Sequence, residues 1–294
     1  MLRRSLRIPA AGVAYLVTAA VSSSAVAYRP EEFADIGVTR TAPAGPTAAP
    51  ALVIAHRGAS RYAPENTLAA VDAAHRRGLL WVENDVQRTK DGRLVVVHDT
   101  TLERTTNAAT VFPGRAPWRV GDFTAAEIAR LDAGSWFGAR FAGERVPTLD
   151  AYLRRLERNG QRLLLEIKAP GRYPGIEAGV VRELRARGWL DSAHVRSRLV
   201  IQSFSVACVK TVHALLPQVR TGILGAPAVA DLARYARFTD QINPRLSEAS
   251  SRWLAAVHRL RGAHGRPLEV YAWDVAKNTN RRSVRARGIE GVIE

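Results

Sequence analysis

Two short segments place polar residues at alternating positions: Glu83-Asn84-Asp85 and Glu166-Ile167-Lys168. Residues i and i+2 of a strand share a face, so in an extended segment each pair converges on one side. Three carboxylates, Glu83, Asp85 and Glu166, aimed at one point repel unless positive charge neutralises them. An oxygen-liganded divalent cation, Ca²⁺ or Mg²⁺, does this and suits carboxylate donors. Ion pairing of the same acids with Arg57 and Lys168 is the competing explanation, and for a single Glu-x-Asp it is the stronger one. The gathering of all these polar residues at strand ends favours the metal. His56 and His98 each close an apolar run. Either alone reads as an ordinary satisfied histidine, whereas two beside a metal site and two cations fit general acid–base work. Arg57 and Lys168 supply the fixed positive charge that an anionic phosphoryl group needs. The set therefore suggests hydrolysis or transfer at a phosphodiester. His75, His194, His213, His258 and His264 fall on helices or loops and receive no role.

These residues need a scaffold that brings distant segments to one place. From residue 51, apolar strand-like runs alternate with runs of helical spacing. Ala51–Ala55 is a strand that stops at His56-Arg57-Gly58. Pro64 and Glu65 open a helix ending near Arg77, with Gly78 as its stop. Leu80–Val86 and Arg93–Val97 flank the turn Thr89-Lys-Asp-Gly92, a connection too short for parallel neighbours. The polar stretch 99–146 holds one clear helix start, the capping-box pattern at Thr124 and Glu127. Leu149, Tyr152, Leu153 and Leu156 keep helical spacing up to Gly160. Alternation resumes with strands at 163–168, 199–204, 219–224, 238–243, 268–275 and 291–293, and helices around 176–184 and 206–216. With 93–97 as a hairpin partner, eight strands remain. They predict an α/β fold, a (β/α)₈ TIM barrel with a small insertion (about 99–146) after the second strand. An open doubly wound sheet is the alternative, but no G-x-G-x-x-G turn follows the first strand.

The chain has 294 residues, 47% of them hydrophobic, which argues against a largely disordered protein. One cysteine, Cys208, excludes an intramolecular disulfide framework and any zinc site built on two or more cysteines. The net charge of +16 invites a nucleic-acid reading. Only Lys90, Lys168, Lys210 and Lys277 are lysines among 43 basic residues, however. With the high alanine content this reads as a coding bias and a solvated arginine surface, so no specific nucleic-acid partner is expected.

Residues 1–27 read as a secretory signal peptide. Arg3, Arg4 and Arg7 precede the uncharged run Ile8–Val21, and Ala25-Val26-Ala27 has the small-x-small pattern of a cleavage site. The expected location is secreted or extracytoplasmic, with an uncleaved signal anchor as the alternative. Cleavage after Ala27 removes three arginines and leaves a net charge of +13. Residues 28–50, rich in Ala, Pro and Thr, read as a linker, and 51–294 as the barrel.

The strand-end residues also carry a resemblance. His56-Arg57-Gly58-Ala59, Ala63-Pro64-Glu65-Asn66-Thr67, Glu83-Asn84-Asp85-Val86, Thr89-Lys90-Asp91-Gly92 and His98-Asp99 occur in that order. With Thr101-Leu-Glu-Arg-Thr-Thr106, Glu166-Ile-Lys168, Gln202-Ser-Phe204 and Ala272-Trp273, they resemble the glycerophosphodiester phosphodiesterases over residues 52–294. The resemblance implies a TIM barrel that hydrolyses glycerophosphodiesters to glycerol 3-phosphate and an alcohol. It implies Glu83, Asp85 and Glu166 as ligands of one divalent cation, Ca²⁺ or Mg²⁺. It further implies His56 and His98 as the acid–base pair; of the two, we take His98 as the acid. Arg57 and Lys168 would lie on the phosphate and Gln202 and Trp273 in the substrate pocket, Trp273 on the glycerol side. The family pattern continues beyond the last strand with Thr-Asp and a final helix, which this sequence lacks. Asp274 also stands where the family more often has threonine.

Two rival readings remain. A phospholipase-D-like or phosphatidylinositol-cleaving phosphodiesterase would use similar chemistry on lipids. It would be favoured if Phe112, Trp118, Phe123, Trp136, Phe137 and Phe141 formed an apolar rim instead of packing the insertion. An arginine-rich secreted protein binding a polyanion would need none of the histidines and carboxylates. For the enzyme, glycerophosphodiesters, lysophospholipids and glycerophosphate wall polymer all remain candidate substrates.

Overall fold

The computed structural model describes residues 49–294. The signal peptide expected at 1–27, and all but the end of the linker at 28–50, lie outside the described residues. The element order is β1 (Leu52–Ala55), α1 (Leu68–Arg76), β2 (Trp81–Arg88), β3 (Leu94–Val96), α2 (Ala108–Val111), α3 (Ala125–Ile128) and α4 (Leu149–Asn159). Then follow β4 (Arg162–Ile167), α5 (Ile176–Ala186), α6 (Ser192–Ser197), β5 (Leu199–Ser203), α7 (Val206–Leu215) and β6 (Arg220–Leu224). The series ends with α8 (Val229–Tyr235), β7 (Gln241–Asn243), α9 (Ser251–His258), β8 (Tyr271–Ala272), α10 (Arg281–Ala286) and β9 (Gly291–Ile293). Among the described residues no helix is long and apolar enough to cross a membrane.

Eight parallel strands run β7-β6-β5-β4-β2-β1-β9-β8. Parallel bridges Gln241–Glu269 and Arg245–Trp273, flanking β8, bring β7 and β8 together and nearly close the ring. The fold is therefore the (β/α)₈ barrel, and the open doubly wound sheet is excluded. β3 pairs antiparallel with β2 through Val86–Val96, Gln87–Val95 and Arg88–Leu94, with a single further antiparallel bridge from Val95 to Thr148. The short turn leaves no room for a crossover helix, so the hairpin arm projects from the barrel and launches the insertion.

The helices start and stop where local chemistry dictates. Thr148 accepts a hydrogen bond from Ala151 N at the start of α4, and Gly160 ends it in the left-handed conformation. Leu149, Tyr152, Leu153 and Leu156 form its buried stripe, each contributing about 1.5–3 kcal/mol by leaving water. The capping box at Thr124 and Glu127 opens α3. The strands expected at 238–243 and 268–275 shorten to Gln241–Asn243 and Tyr271–Ala272, and one helix start also differs. Helix α1 begins at Leu68 with Thr67 as its cap, not at Pro64. The intervening Pro64-Glu65-Asn66 forms a loop in which Asn66 adopts φ +60, a turn that no regular helix accommodates.

Three layers of apolar packing follow. One face of the strands meets the outer helices through Val82, Val86, Leu163, Leu165 and Ile201. The opposite face fills the barrel floor with Ile54, Trp81, Leu164, Val200 and Ile293. The insertion has its own core of Val97, Leu102, Val120, Phe123, Ile128 and Leu131, against which Phe112 and Trp118 pack. Phe137 packs edge-on against both Trp136 and Phe141. Most of the aromatics that could have formed a lipid-facing rim are thus spent on holding the insertion together.

Candidate active site

Alternation along the strands places the site directly above the barrel floor. Trp81 lies in the floor, and the next two residues on its face of β2 are Glu83 and Asp85. Register pairs Asp85 with Glu166 on β4, and Glu166 with Gln202 on β5. One carboxylate oxygen from each of Glu83, Asp85 and Glu166 lies within 4.8 Å of the others. All three side chains are buried. Burial and the charge of Asp85 push the Glu83 carboxyl well above its ordinary range. The same two causes push Glu166 up to about 8. Asp85 is held below its ordinary value although burial opposes this, because Lys168, His98 and Arg57 surround it with positive charge and Asn66 donates to it.

Two cations already touch the triad. Lys168 Nζ stands 2.8 Å from Glu166 and 3.6 Å from Asp85. Arg57 Nε stands 3.5 Å from Asp85. Two charges against three leave a formal surplus of one negative charge, which adds to burial in raising Glu83 and Glu166. An all-oxygen donor set with surplus negative charge fits a hard divalent cation. Ion pairing and metal binding are therefore not alternatives, since the same cluster holds the ion pairs and the donors that could take a cation.

Backbone geometry aims these groups. Arg57 (φ +53) and Gly58 (φ +77) turn the chain sharply after β1. The turn lets Arg57 N donate to Glu83 Oε2 at 2.8 Å and Gly58 N to the Glu83 carbonyl at 3.1 Å. Asn66 sits under Asp85, donating from Nδ2 to Oδ2 at 2.8 Å. Ala169 (φ +41) and Asp274 (φ +58) redirect the chain just after Lys168 and Trp273. Apart from Trp118, every non-glycine left-handed residue among those described is thus at or next to a site residue. Backbone strain of this kind concentrates at functional sites.

A cavity of about 460 Å³ opens above the triad. His56, Arg57, Glu83, His98, Glu166, Lys168, Gln202 and Trp273 all line it. Asp85 does not; its carboxylate is covered by contacts with Asn66 and Lys168. Burial and the neighbouring Arg57 guanidinium bring His56 down to about 4, so its imidazole is neutral at pH 7. His98 Nδ1 lies 2.6 Å from Asp99 Oδ1. On the opposite wall Trp273 donates from Nε1 to the Asn243 carbonyl at 3.0 Å, with Phe204 edge-on at 5.7 Å. Arg245 lies over the Trp273 ring. Gln202 accepts from Asn243 Nδ2 at 2.9 Å. Asp274 lines the rim and faces Arg245 at 3.5 Å, so its extra carboxylate is partly offset.

Several residues with no assigned role in the sequence prove to hold the site in place. Asn66 supports Asp85, Asp99 holds His98, and Glu65 accepts from Arg57 Nη1 at 2.9 Å. Buried Gln87 donates to the carbonyls of Val97, His98 and Asp99 and accepts from Tyr173. The only sequence signal for Glu65, Asn66 and Asp99 is their place inside the short motifs, and Gln87 lies between two of these; their spacing is not periodic.

The sequence profile of the glycerophosphoryl diester phosphodiesterase family matches residues 56–294. A glycerophosphodiester phosphodiesterase of Caldanaerobacter subterraneus subsp. tengcongensis is 32% identical over 252 residues, covering 82% of this chain and 93% of the relative. The solved structure of an Oleispira antarctica phosphodiesterase in complex with the product sn-glycerol-3-phosphate superposes with a TM-score of 0.71 at 28% identity. It covers 83% of this chain and 92% of that one. A glycerophosphodiester phosphodiesterase from Agrobacterium tumefaciens str. C58 gives a TM-score of 0.63 at 29% identity, covering 83% and 95%.

Proposed function

The chain belongs to the glycerophosphoryl diester phosphodiesterase family, whose members are phosphoric diester hydrolases, and from that premise we propose a specific reaction and mechanism. The reaction is metal-assisted hydrolysis of glycerophosphodiesters to glycerol 3-phosphate and an alcohol. One observation carries this reading: a buried carboxylate triad, two cations and two histidines meet at one cavity. The product bound in the Oleispira enzyme, sn-glycerol-3-phosphate, supports the choice of substrate class.

Glu83, Asp85 and Glu166 would hold Ca²⁺ or Mg²⁺, which when bound polarises a phosphoryl oxygen and acidifies the attacking hydroxyl or water. Arg57 and Lys168 bind and orient the remaining phosphoryl oxygens. His56, neutral at pH 7, accepts the proton of the nucleophile. His98 has Nδ1 committed to Asp99, which leaves Nε2 to hand a proton to the departing alkoxide. Trp273, braced by Phe204 and by its bond to Asn243, gives the glycerol moiety a flat wall. The targeting pattern of residues 1–27 supports placing this activity outside the cytoplasm.

The test is release of glycerol 3-phosphate, or of its acyl ester from the lysophospholipid, across a substrate panel, with and without chelator. The panel is glycerophosphocholine, glycerophosphoethanolamine, a lysophospholipid and glycerophosphate polymer. We expect release from at least one member, abolished by chelator and restored by Ca²⁺ or Mg²⁺. No chelator-sensitive release from any of them overturns the reading. Phosphorus NMR of the same reactions separates direct attack by water from attack by the glycerol hydroxyl, which leaves a cyclic phosphate.

A further inference from the structure

We infer that Arg104, on the insertion, is a positioning residue that locks the His98 acid to the Arg57 phosphate clamp. Its guanidinium engages two carboxylates at once. Nε and Nη2 donate to Asp99 at 2.6 and 3.1 Å, and Nη1 and Nη2 donate to Glu65 at 2.9 and 2.7 Å. Asp99 in turn holds His98 Nδ1 at 2.6 Å, and Glu65 holds Arg57 Nη1 at 2.9 Å. The result is a continuous run of alternating charge: His98, Asp99, Arg104, Glu65, Arg57.

None of Asp99, Arg104 and Glu65 lines the substrate cavity. Their contribution is therefore orientation. Glu65 belongs to the loop after β1, Asp99 follows the β3 arm, and Arg104 lies within the insertion, so the run ties three separate segments together. Without Arg104, two carboxylates would face one gap, and Asp99 could rotate away from His98. A guanidinium suits the place because its planar fork meets two carboxylates in fixed geometry, whereas a lysine offers one point charge. The backbone of residues 97–99 is fixed separately by Gln87. Removing Arg104 should therefore loosen the side chains without unfolding the loop.

The inference rests on the reading of His98 as the acid, and leaving-group dependence tests both separately. A choline or ethanolamine alkoxide needs a proton as it departs; a p-nitrophenolate does not. Purified wild type, Arg104→Ala, Arg104→Lys and His98→Ala are assayed on glycerophosphoethanolamine and on the p-nitrophenyl ester of glycerol 3-phosphate. General acid catalysis and its orientation are each worth orders of magnitude. We expect Arg104→Ala to lose about 10–100-fold in kcat on the first substrate and less than about 3-fold on the second. Arg104→Lys should show the same bias, reduced. If the alanine variant melts early, the lysine variant decides by its ratio of the two rates. Equal losses on both substrates, or no loss on either, overturn the positioning role of Arg104. Equal losses for His98→Ala overturn the acid assignment itself. A biased His98→Ala beside an unbiased Arg104 variant overturns only the inference.

Discussion

The turn that aims Arg57 depends on one glycine, and the cost of changing it can be worked out. Gly58 adopts φ +77, and a Cβ placed there would lie 2.6 Å from Ala70 Cβ and 2.8 Å from the Ala70 carbonyl carbon. Backbone of α1 cannot swing aside as the tip of a long side chain can. Gly78, at the end of the same helix, has a similar φ of +69 but nothing within 4 Å of its would-be Cβ. Gly78→Ala therefore isolates conformational strain, about 1–2 kcal/mol. Gly58→Ala adds overpacking of about 1–3 kcal/mol, for a total of about 2–5 kcal/mol. The loss of unfolded-state freedom is common to both and cancels in the comparison. At about 2–4 °C per kcal/mol for a domain of this size, the two variants should melt about 4–8 °C apart for a 2 kcal/mol difference. Urea unfolding and thermal melts measure this directly. Gly58→Ala should also lose activity, since Gly58 N and Arg57 N both bond to Glu83, whereas Gly78→Ala should keep it. Equal stabilities for the two variants would refute the steric argument.

Two further outcomes follow from groups at the rim. Arg104 and His98 hold the Asp99 carboxyl at about 2, below its ordinary 3.8. A depressed acid contributes stability above its ordinary value and loses it as pH falls towards the depressed one. The gap in melting temperature between wild type and Asp99→Asn should therefore be constant above about pH 4 and close between about pH 4 and 2; a gap that persists at pH 2 would show that the ion pairs add nothing. Trp273→Ala removes the flat wall and its bond to Asn243; loss of roughly one buried aromatic contact, about 1.5 kcal/mol, predicts a rise of about 10-fold in KM for glycerophosphocholine with a smaller change in kcat, and steady-state kinetics showing the reverse split would remove Trp273 from the binding wall.

The barrel was readable because its signals are periodic. Strand β2 sets Val82 and Val86 on one face and Glu83 and Asp85 on the other, and α4 shows Leu149, Tyr152, Leu153 and Leu156 at helical spacing. Both follow from burying one face of a regular element. The triad, His56, His98, Arg57 and Lys168 were readable for the same reason, since each sits at a strand end or on its inward face. Asn66, Glu65, Gln87 and Arg104 were not, because their partners lie between 5 and 86 residues away with no period linking them. The start of α1 was misplaced because Pro64 suits a first helical turn, while Asn66 in the left-handed region denies one. The strained turns at Ala169 and Asp274 have no adjacent glycine to betray them.

The separate core of the insertion has a consequence for cooperativity. Val97, Leu102, Phe123, Ile128 and Leu131 bury their surface against one another and not against the barrel floor. Such a unit can open on its own at a free energy below that of global unfolding. His98 and Asp99 sit on the seam between the two units, flanked by Val97 on the insertion side. A partial opening that leaves the carboxylate triad intact would carry off His98, the proposed proton donor. The molecule would then be folded, with the proposed cation ligands in place, and by the proposed mechanism chemically silent. The fraction of time it spends in that state is set by the seam and not by the stability of the barrel. Slow-exchanging amides should accordingly fall into two classes, with those of the insertion released first.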